Sequence, residues 1–174
     1  MSRTASDSTR YAIVGFGSAG QAFARRNLEV AVASRRVPEA LIQQARAIGP
    51  SVVPQTLADT VMLVMPFRAY RDVAQALPDW RGKTVIDATN AHGVPMDELG
   101  ELPSSAVIAR AFAGARFVKG FSHLPAAVLA VDPKVDGGRR VIFLLSDDER
   151  AAAPALARGH AWMPLIFLDL VKPE

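Results

Sequence analysis

The 174-residue chain contains no cysteine. Disulfides, thiolate nucleophiles and cysteine-ligated zinc are excluded at once. The three histidines are scattered without ligand spacing, so no metal is expected. Charge of one sign is also scarce. The net charge is only +3, from 20 basic and 17 acidic residues. The basic residues are 16 Arg and 4 Lys, and the pairs Arg25-Arg26, Arg35-Arg36 and Arg139-Arg140 do not merge into a block. That is too diffuse for a nucleic-acid partner. No apolar run approaches the roughly 20 residues a bilayer demands, so no membrane partner is expected. Residues 1–10 lack an apolar segment and read as a loose tail rather than a secretory signal, which points to the cytoplasm. What the chain does have is 50% hydrophobic residues. At this length roughly 70% of the unfolded surface can be buried. One globular domain over residues 11–174 follows.

Apolar strands alternate with turns and helices. Tyr11–Val14 is a short strand followed at once by Gly15, and Gln21–Arg26 has the pattern of a helix. Leu28–Ala33 is a second strand. Pro38 opens a helix closed by Gly49-Pro50, and Val52-Val53 is a brief strand. Thr60–Met65 is continuously apolar, as a strand buried on both faces should be, and Lys83–Ala88 is another buried strand, with a helix over Tyr70–Leu77 between them. Ser104–Phe112 and Pro125–Ala130 read as helices, and Ala115–Lys119, Arg140–Leu145 and Leu165–Leu170 as strands. Ser146 is placed to cap a helix with an acidic first turn. The alternation predicts an α/β, doubly wound, mostly parallel sheet of about seven or eight strands with a short C-terminal extension.

The sharpest motif is Gly15-Phe16-Gly17-Ser18-Ala19-Gly20, a GxGxxG directly after a strand and opening a helix. In that context the spacing has a mechanism. Gly15 permits the tight turn, Gly17 lets a pyrophosphate approach the backbone, and Gly20 lets helix and strand pack closely. Amides at the helix start face the phosphates. NAD-selective sites carry an acid at the end of the second strand. Here Ser34, Arg35 and Arg36 stand there instead, which suits a 2′-phosphate and predicts NADP(H) over NAD(H). Further ligand contacts belong at the carboxyl ends of the central strands, at Met65-Pro66-Phe67 and Ala88-Thr89-Asn90. Asp87 reads equally as a ligand group or as a buried acid capping a turn.

These motifs occur together with Val118-Lys119-Gly120-Phe121, Leu124-Pro125-Ala126, Asp132-Pro133 and Gly138-Arg139-Arg140-Val141 leading to Ser146-Asp147-Asp148. In that order the chain resembles the NADP oxidoreductases dependent on the deazaflavin coenzyme F420, and the related reductase domains of membrane ferric reductases. The resemblance spans about Tyr11 to Leu170. It implies a Rossmann domain that passes hydride between NADP(H) and a flavin or deazaflavin. It also implies that Gly15 to Ala19 cradle the pyrophosphate, that Ser34 and Arg35 take the 2′-phosphate, and that Pro66 and Asn90 lie near ribose and nicotinamide. Phe121, Ser122, His123 and Leu124 would line the pocket for the second substrate. The chain has Lys119-Gly-Phe-Ser122-His123-Leu124 where the family commonly has Lys-Ala-Phe-Asn-Thr-Leu.

Hydride transfer to a flavin-like ring asks mainly for stacking, orientation and exclusion of water. Two other readings stand beside it. One is a dinucleotide-binding sensor or partner module without turnover. The other is a carbonyl or imine reductase with His123 as acid, the one donor in a suitable place. Partners are expected to be a small-molecule substrate and a second copy of the chain in a homodimer, which would complete the pocket of so short an enzyme.

Overall fold

A computed structural model describes residues 11–25, 30–33, 38–48, 58–135, 137–148, 150–152 and 163–167. Nine strands and six helices of four residues or more are assigned in it. The strands are β1 (Tyr11–Val14), β2 (Val30–Ala33), β3 (Thr60–Leu63), β4 (Thr84–Asp87), β5 (Arg116–Gly120), β6 (Lys134–Val135), β7 (Gly138–Arg139), β8 (Val141–Leu145) and β9 (Met163–Phe167). The helices are α1 (Ser18–Ala24), α2 (Pro38–Ile48), α3 (Tyr70–Ala74), α4 (Met96–Leu99), α5 (Ser104–Ala111) and α6 (Ala126–Ala130), with a 3-10 turn at Phe67–Ala69 before α3.

Seven strands form one sheet in the order β2-β1-β3-β4-β5-β8-β9. The first five are parallel to their neighbours, in registers that pair Val14 with Ala33 and Leu63, and Asp87 with Leu63 and Lys119. β8 runs antiparallel to β5, and β9 runs parallel to β8. The sheet is thus mostly parallel, as the buried strands β3 and β4 require: every residue in each is buried. β6 and β7 form a separate small hairpin around the Gly137 turn. The brief strand expected at Val52-Val53 lies outside the described residues. So does most of the helix expected after Ser146, whose hydroxyl accepts the Asp148 amide at 3.2 Å.

Each face of the sheet carries its own core. On one, Ile13, Val32, Met62, Ile86 and Val118 meet Phe23 of α1, Leu41 and Ala45 of α2 and Leu129 of α6. Leu41, Ala45 and Ile48 fall at i, i+4 and i+7, one stripe of α2. On the other, Val14, Val61, Leu63 and Val85 meet Tyr70 of α3 and Ile108 of α5. There Trp80 packs edge-on against Phe112 with ring centroids 4.7 Å apart, and its Nε1 donates to the Ala74 carbonyl at 2.8 Å. Burial at both faces makes the sheet a stiff platform whose free edge, at the carboxyl ends of β1, β3, β4 and β5, can carry ligands.

Candidate dinucleotide and acceptor site

From β1 the chain goes outward to β2 and then returns across β1 to β3. The carboxyl ends of β1 and β3 are therefore the switch point at which doubly wound sheets open a crevice. A cavity of about 710 Å³ lies there. Its floor is the Gly15–Ala19 turn, and its walls come from Ala33 at the end of β2 and from Val64, Met65 and Pro66 after β3. The Gly15 amide donates to the Ala33 carbonyl at 2.7 Å and the Val64 amide to the Val14 carbonyl at 2.8 Å, so the three strand ends are tied together.

The glycines divide as the motif requires. Gly15 has φ +99°, and a Cβ on it would sit 2.2 Å from the Val64 carbonyl oxygen. A Cβ on Gly20 would sit 2.1 Å from the Gly15 carbonyl oxygen. Neither place can take a side chain. Around Gly17 nothing lies within 4 Å of such a Cβ. The space a side chain would fill there is open, on the cavity floor, at the N-cap of α1. The first turn of α1 holds no acidic residue and its N-cap makes no side-chain hydrogen bond. Its leading amides and the positive end of its dipole thus face the cavity without a protein counter-charge of their own turn. The residues present fit a pyrophosphate.

Not every expected ligand residue turns toward the crevice. Phe16 offers its backbone to the cavity while its ring is buried in the core. Phe67, expected beside the cofactor, buries its ring 5.2 Å from that of Tyr70. An aromatic one residue past an exposed proline is worth more in the core than in an open crevice. Ser34, Arg35 and Arg36 lie outside the described residues, immediately after the cavity-lining Ala33. α3 and the residues flanking it supply lining that the motifs do not reveal: Ala69 before the helix, Asp72 and Val73 in it and Ala76 after it close the cavity on that side. Only the one-turn repeat Ala69, Val73, Ala76 hints at such a face.

At the next strand ends a polar cluster forms. Asp87 is fully buried, and its Oδ1 accepts the Thr89 amide at 2.8 Å. Its Oδ2 accepts from Lys119 Nζ at 3.0 Å, and Lys119 Nζ also donates to the Thr89 carbonyl. Of the two roles open to Asp87, the geometry selects the turn-capping one. Asn90 is exposed and donates from Nδ2 to the Ser122 carbonyl at 2.7 Å. Ala88 packs partly into the core, and the buried Thr89 hydroxyl finds no partner among the described residues.

Phe121, expected in the acceptor pocket, instead sends its ring into the core. It is edge-on to Phe23 of α1 with centroids 5.2 Å apart, and its φ is +63°. The backward turn that buries the ring leaves Ser122 and Leu124 half-buried and His123 exposed, with the imidazole 4.9 Å from the Phe143 ring.

A doubly wound sheet with a glycine cradle at its switch point defines a Rossmann-type dinucleotide-binding protein. A profile of the family described as NADP oxidoreductase, coenzyme F420-dependent, matches residues 10–91. The hypothetical protein SMa0349 from Sinorhizobium meliloti is 32% identical, over 91% of this chain and 84% of that one, with a TM-score of 0.82. A candidate F420-dependent NADP-reductase from Arthrobacter sp. FB24 is 20% identical over 90% and 84%, with a TM-score of 0.69. A reductive aminase from Aspergillus terreus in complex with NADPH and ethyl levulinate is 16% identical, covering 92% of this chain but 55% of that one, at 0.67. No curated protein matches. The chain belongs to the family of coenzyme F420-dependent NADP oxidoreductases. It is an NADP-dependent oxidoreductase, with NADP(H) as its dinucleotide. Among the described residues no helix is long and apolar enough to cross a membrane.

Proposed function

We propose that the protein is an NADPH-dependent reductase that passes hydride to a flavin, a deazaflavin or a similar planar acceptor. The carrying observation is the cradle at Gly15–Ala19, closed on one side by Met65 and Pro66 and continuous along the sheet edge with the ends of β4 and β5. Adjacent strands are about 4.8 Å apart. A dinucleotide whose pyrophosphate rests over β1 therefore extends its nicotinamide half toward Thr89 and Asn90. When bound, NADPH supplies the hydride.

The chain's own residues bind and orient. The α1 amides hold the pyrophosphate, Ser34 and Arg35 take the 2′-phosphate, and the α3 side packs the adenine half. Ser122, His123 and Leu124 border the acceptor. Reduction of a planar ring system asks for stacking and dryness more than for a protein acid. Exposed His123, lying against Phe143, is poorly placed to be a buried proton donor. The protein is read as a homodimer of the cytoplasm.

The test is NADPH oxidation with FMN, FAD, the deazaflavin, and simple carbonyls and imines in parallel. Turnover with a flavin-type acceptor that survives His123→Ala is expected. Turnover confined to carbonyls or imines and abolished by His123→Ala would replace this reading with acid-assisted reduction.

A further inference from the structure

The Asp87–Lys119 pair is an odd thing for a sheet to bury. Asp87 is fully enclosed, and the Lys119 side chain is 14% exposed. Removing two charges from water is costly, and an apolar pair would serve the packing as well. What an apolar pair could not do is grip a backbone. Asp87 Oδ1 holds the amide of Thr89, and Lys119 Nζ holds the carbonyl of the same residue. Both polar groups of one peptide residue are thus held by one ion pair. The ladder between β4 and β5 has just ended, at the register Asp87↔Lys119. Beyond it the two chain ends are joined by a side chain, through Asn90 Nδ2 and the Ser122 carbonyl.

The second chain end is fixed as well. Phe121 adopts a left-handed φ of +63°, a conformation that persists only where surroundings enforce it. Here the enforcing contact is its ring against Phe23 on α1, the helix whose first turn forms the pyrophosphate cradle.

We propose that Lys119 is a positioning residue. Paired with Asp87, it fixes Thr89 and Asn90 and, through Ser122, joins the ends of β4 and β5 into one rigid shelf for the nicotinamide half of the dinucleotide. The inference rests on the reading above that this half lies over β4 and β5. It assigns Lys119 no contact with the reacting atoms. Loss of the shelf leaves the adenylate half of the site, built from β1, β2, β3 and α3, intact.

The experiment compares two ligands on the full chain: NADPH, and 2′,5′-ADP, which carries the adenylate half alone. In Lys119→Met the affinity for NADPH is expected to fall by about tenfold or more, the scale of one lost hydrogen bond to the ligand. Affinity for 2′,5′-ADP stays within about twofold of the unaltered protein. The fluorescence of the bound reduced nicotinamide, which reports the surroundings of that ring, shifts toward that of free NADPH. Lys119→Arg, which keeps the charge and a donor, recovers most of the loss.

Where Lys119→Met fails to fold because it strands a buried carboxylate, the double variant Asp87→Leu with Lys119→Met removes both charges and both grips on Thr89 together and is read in the same way. Parallel loss of both ligands, or no change in either, in a folded variant overturns the role of Lys119. Failure of the unaltered protein to bind NADPH at all overturns the site reading itself, and the shelf with it.

Discussion

Substituting alanine for Gly17 should separate binding from folding. Gly17 has φ −79° and ψ −167°, which any residue can adopt, and a Cβ there meets nothing within 4 Å. Reduced freedom of the unfolded chain favours alanine by about 0.4–1 kcal/mol. Poorer N-capping by alanine removes a similar amount. The two nearly cancel, so stability should change by no more than about 0.5 kcal/mol, or about 2 °C in Tm for a chain of this length. Binding should respond differently. The new methyl group occupies the space where the pyrophosphate approaches. Losing one hydrogen bond to a charged group costs about 1.5–3 kcal/mol, roughly a tenfold to hundredfold rise in the NADPH Kd. Gly15→Ala is the counterpart. Its Cβ would lie 2.2 Å from a backbone oxygen of Val64 at φ +99°, and the fold should lose at least about 4 kcal/mol. Thermal unfolding and calorimetric titration with NADPH read both variants. A Gly17→Ala protein that melts as early as Gly15→Ala, or that binds NADPH within twofold of the original, refutes the assignment of the open space to the ligand.

Arg35→Ala should raise the Kd for NADPH about tenfold or more and leave NADH unchanged, because only the former carries the 2′-phosphate. Titration of both nucleotides decides it, and equal affinities in the unaltered protein would sink the idea. Trp80→Phe leaves the Ala74 carbonyl without its 2.8 Å donor and opens space beside Phe112, which should cost about 2 kcal/mol and lower Tm by roughly 4–8 °C. A Tm within 1 °C, on the same scale of about 2–4 °C per kcal/mol, contradicts it. Asp79 accepts from the Arg81 amide and then from its side chain, which lowers its pKa. Its contribution is therefore complete above the ordinary aspartate value of about 3.9 and is lost as pH falls through the lower folded value. An NMR titration of its carboxyl carbon should show a midpoint below 3.9, and one at or above it argues against the turn.

The framework of the site was readable because it depends on local pattern. Tyr11–Val14 followed by Gly15, Gly17 and Gly20 carries the strand, the turn and the helix start within ten residues, and the apolar run Val61–Met65 through β3 betrays burial on both faces. What stayed hidden depends on the direction of a side chain relative to distant elements. Phe121 reads as an acceptor-pocket aromatic until its left-handed backbone turns the ring onto Phe23, which lies almost a hundred residues earlier. Likewise, the repeat Ala69, Val73, Ala76 hints at a face of α3, but nothing local tells that this face and Asp72 reach the cavity, because that depends on how α3 is rotated against the sheet. The one-turn helix α4 and the two-residue strands β6 and β7 are too short to show any period.

The register of β8 has a mechanical consequence. Neighbours among the first five strands are joined over four registered pairs, and β8 and β9 over five, but the β5–β8 ladder has two, Lys119↔Leu145 and Gly120↔Leu144, with the Ser146 hydroxyl donating to the Phe117 carbonyl just past it. The sheet has a seam there, and it divides into a five-strand plate that carries the Gly15–Ala19 turn and a narrower plate of β8 and β9. Amides of β8 should open to hydrogen exchange well before those of β1, β3 and β4. Because β8 runs antiparallel, its first residues overhang the end of β5 and bring Phe143 to His123. Opening at the seam would thus displace Phe143 from His123 while the Gly15–Ala19 turn keeps its shape.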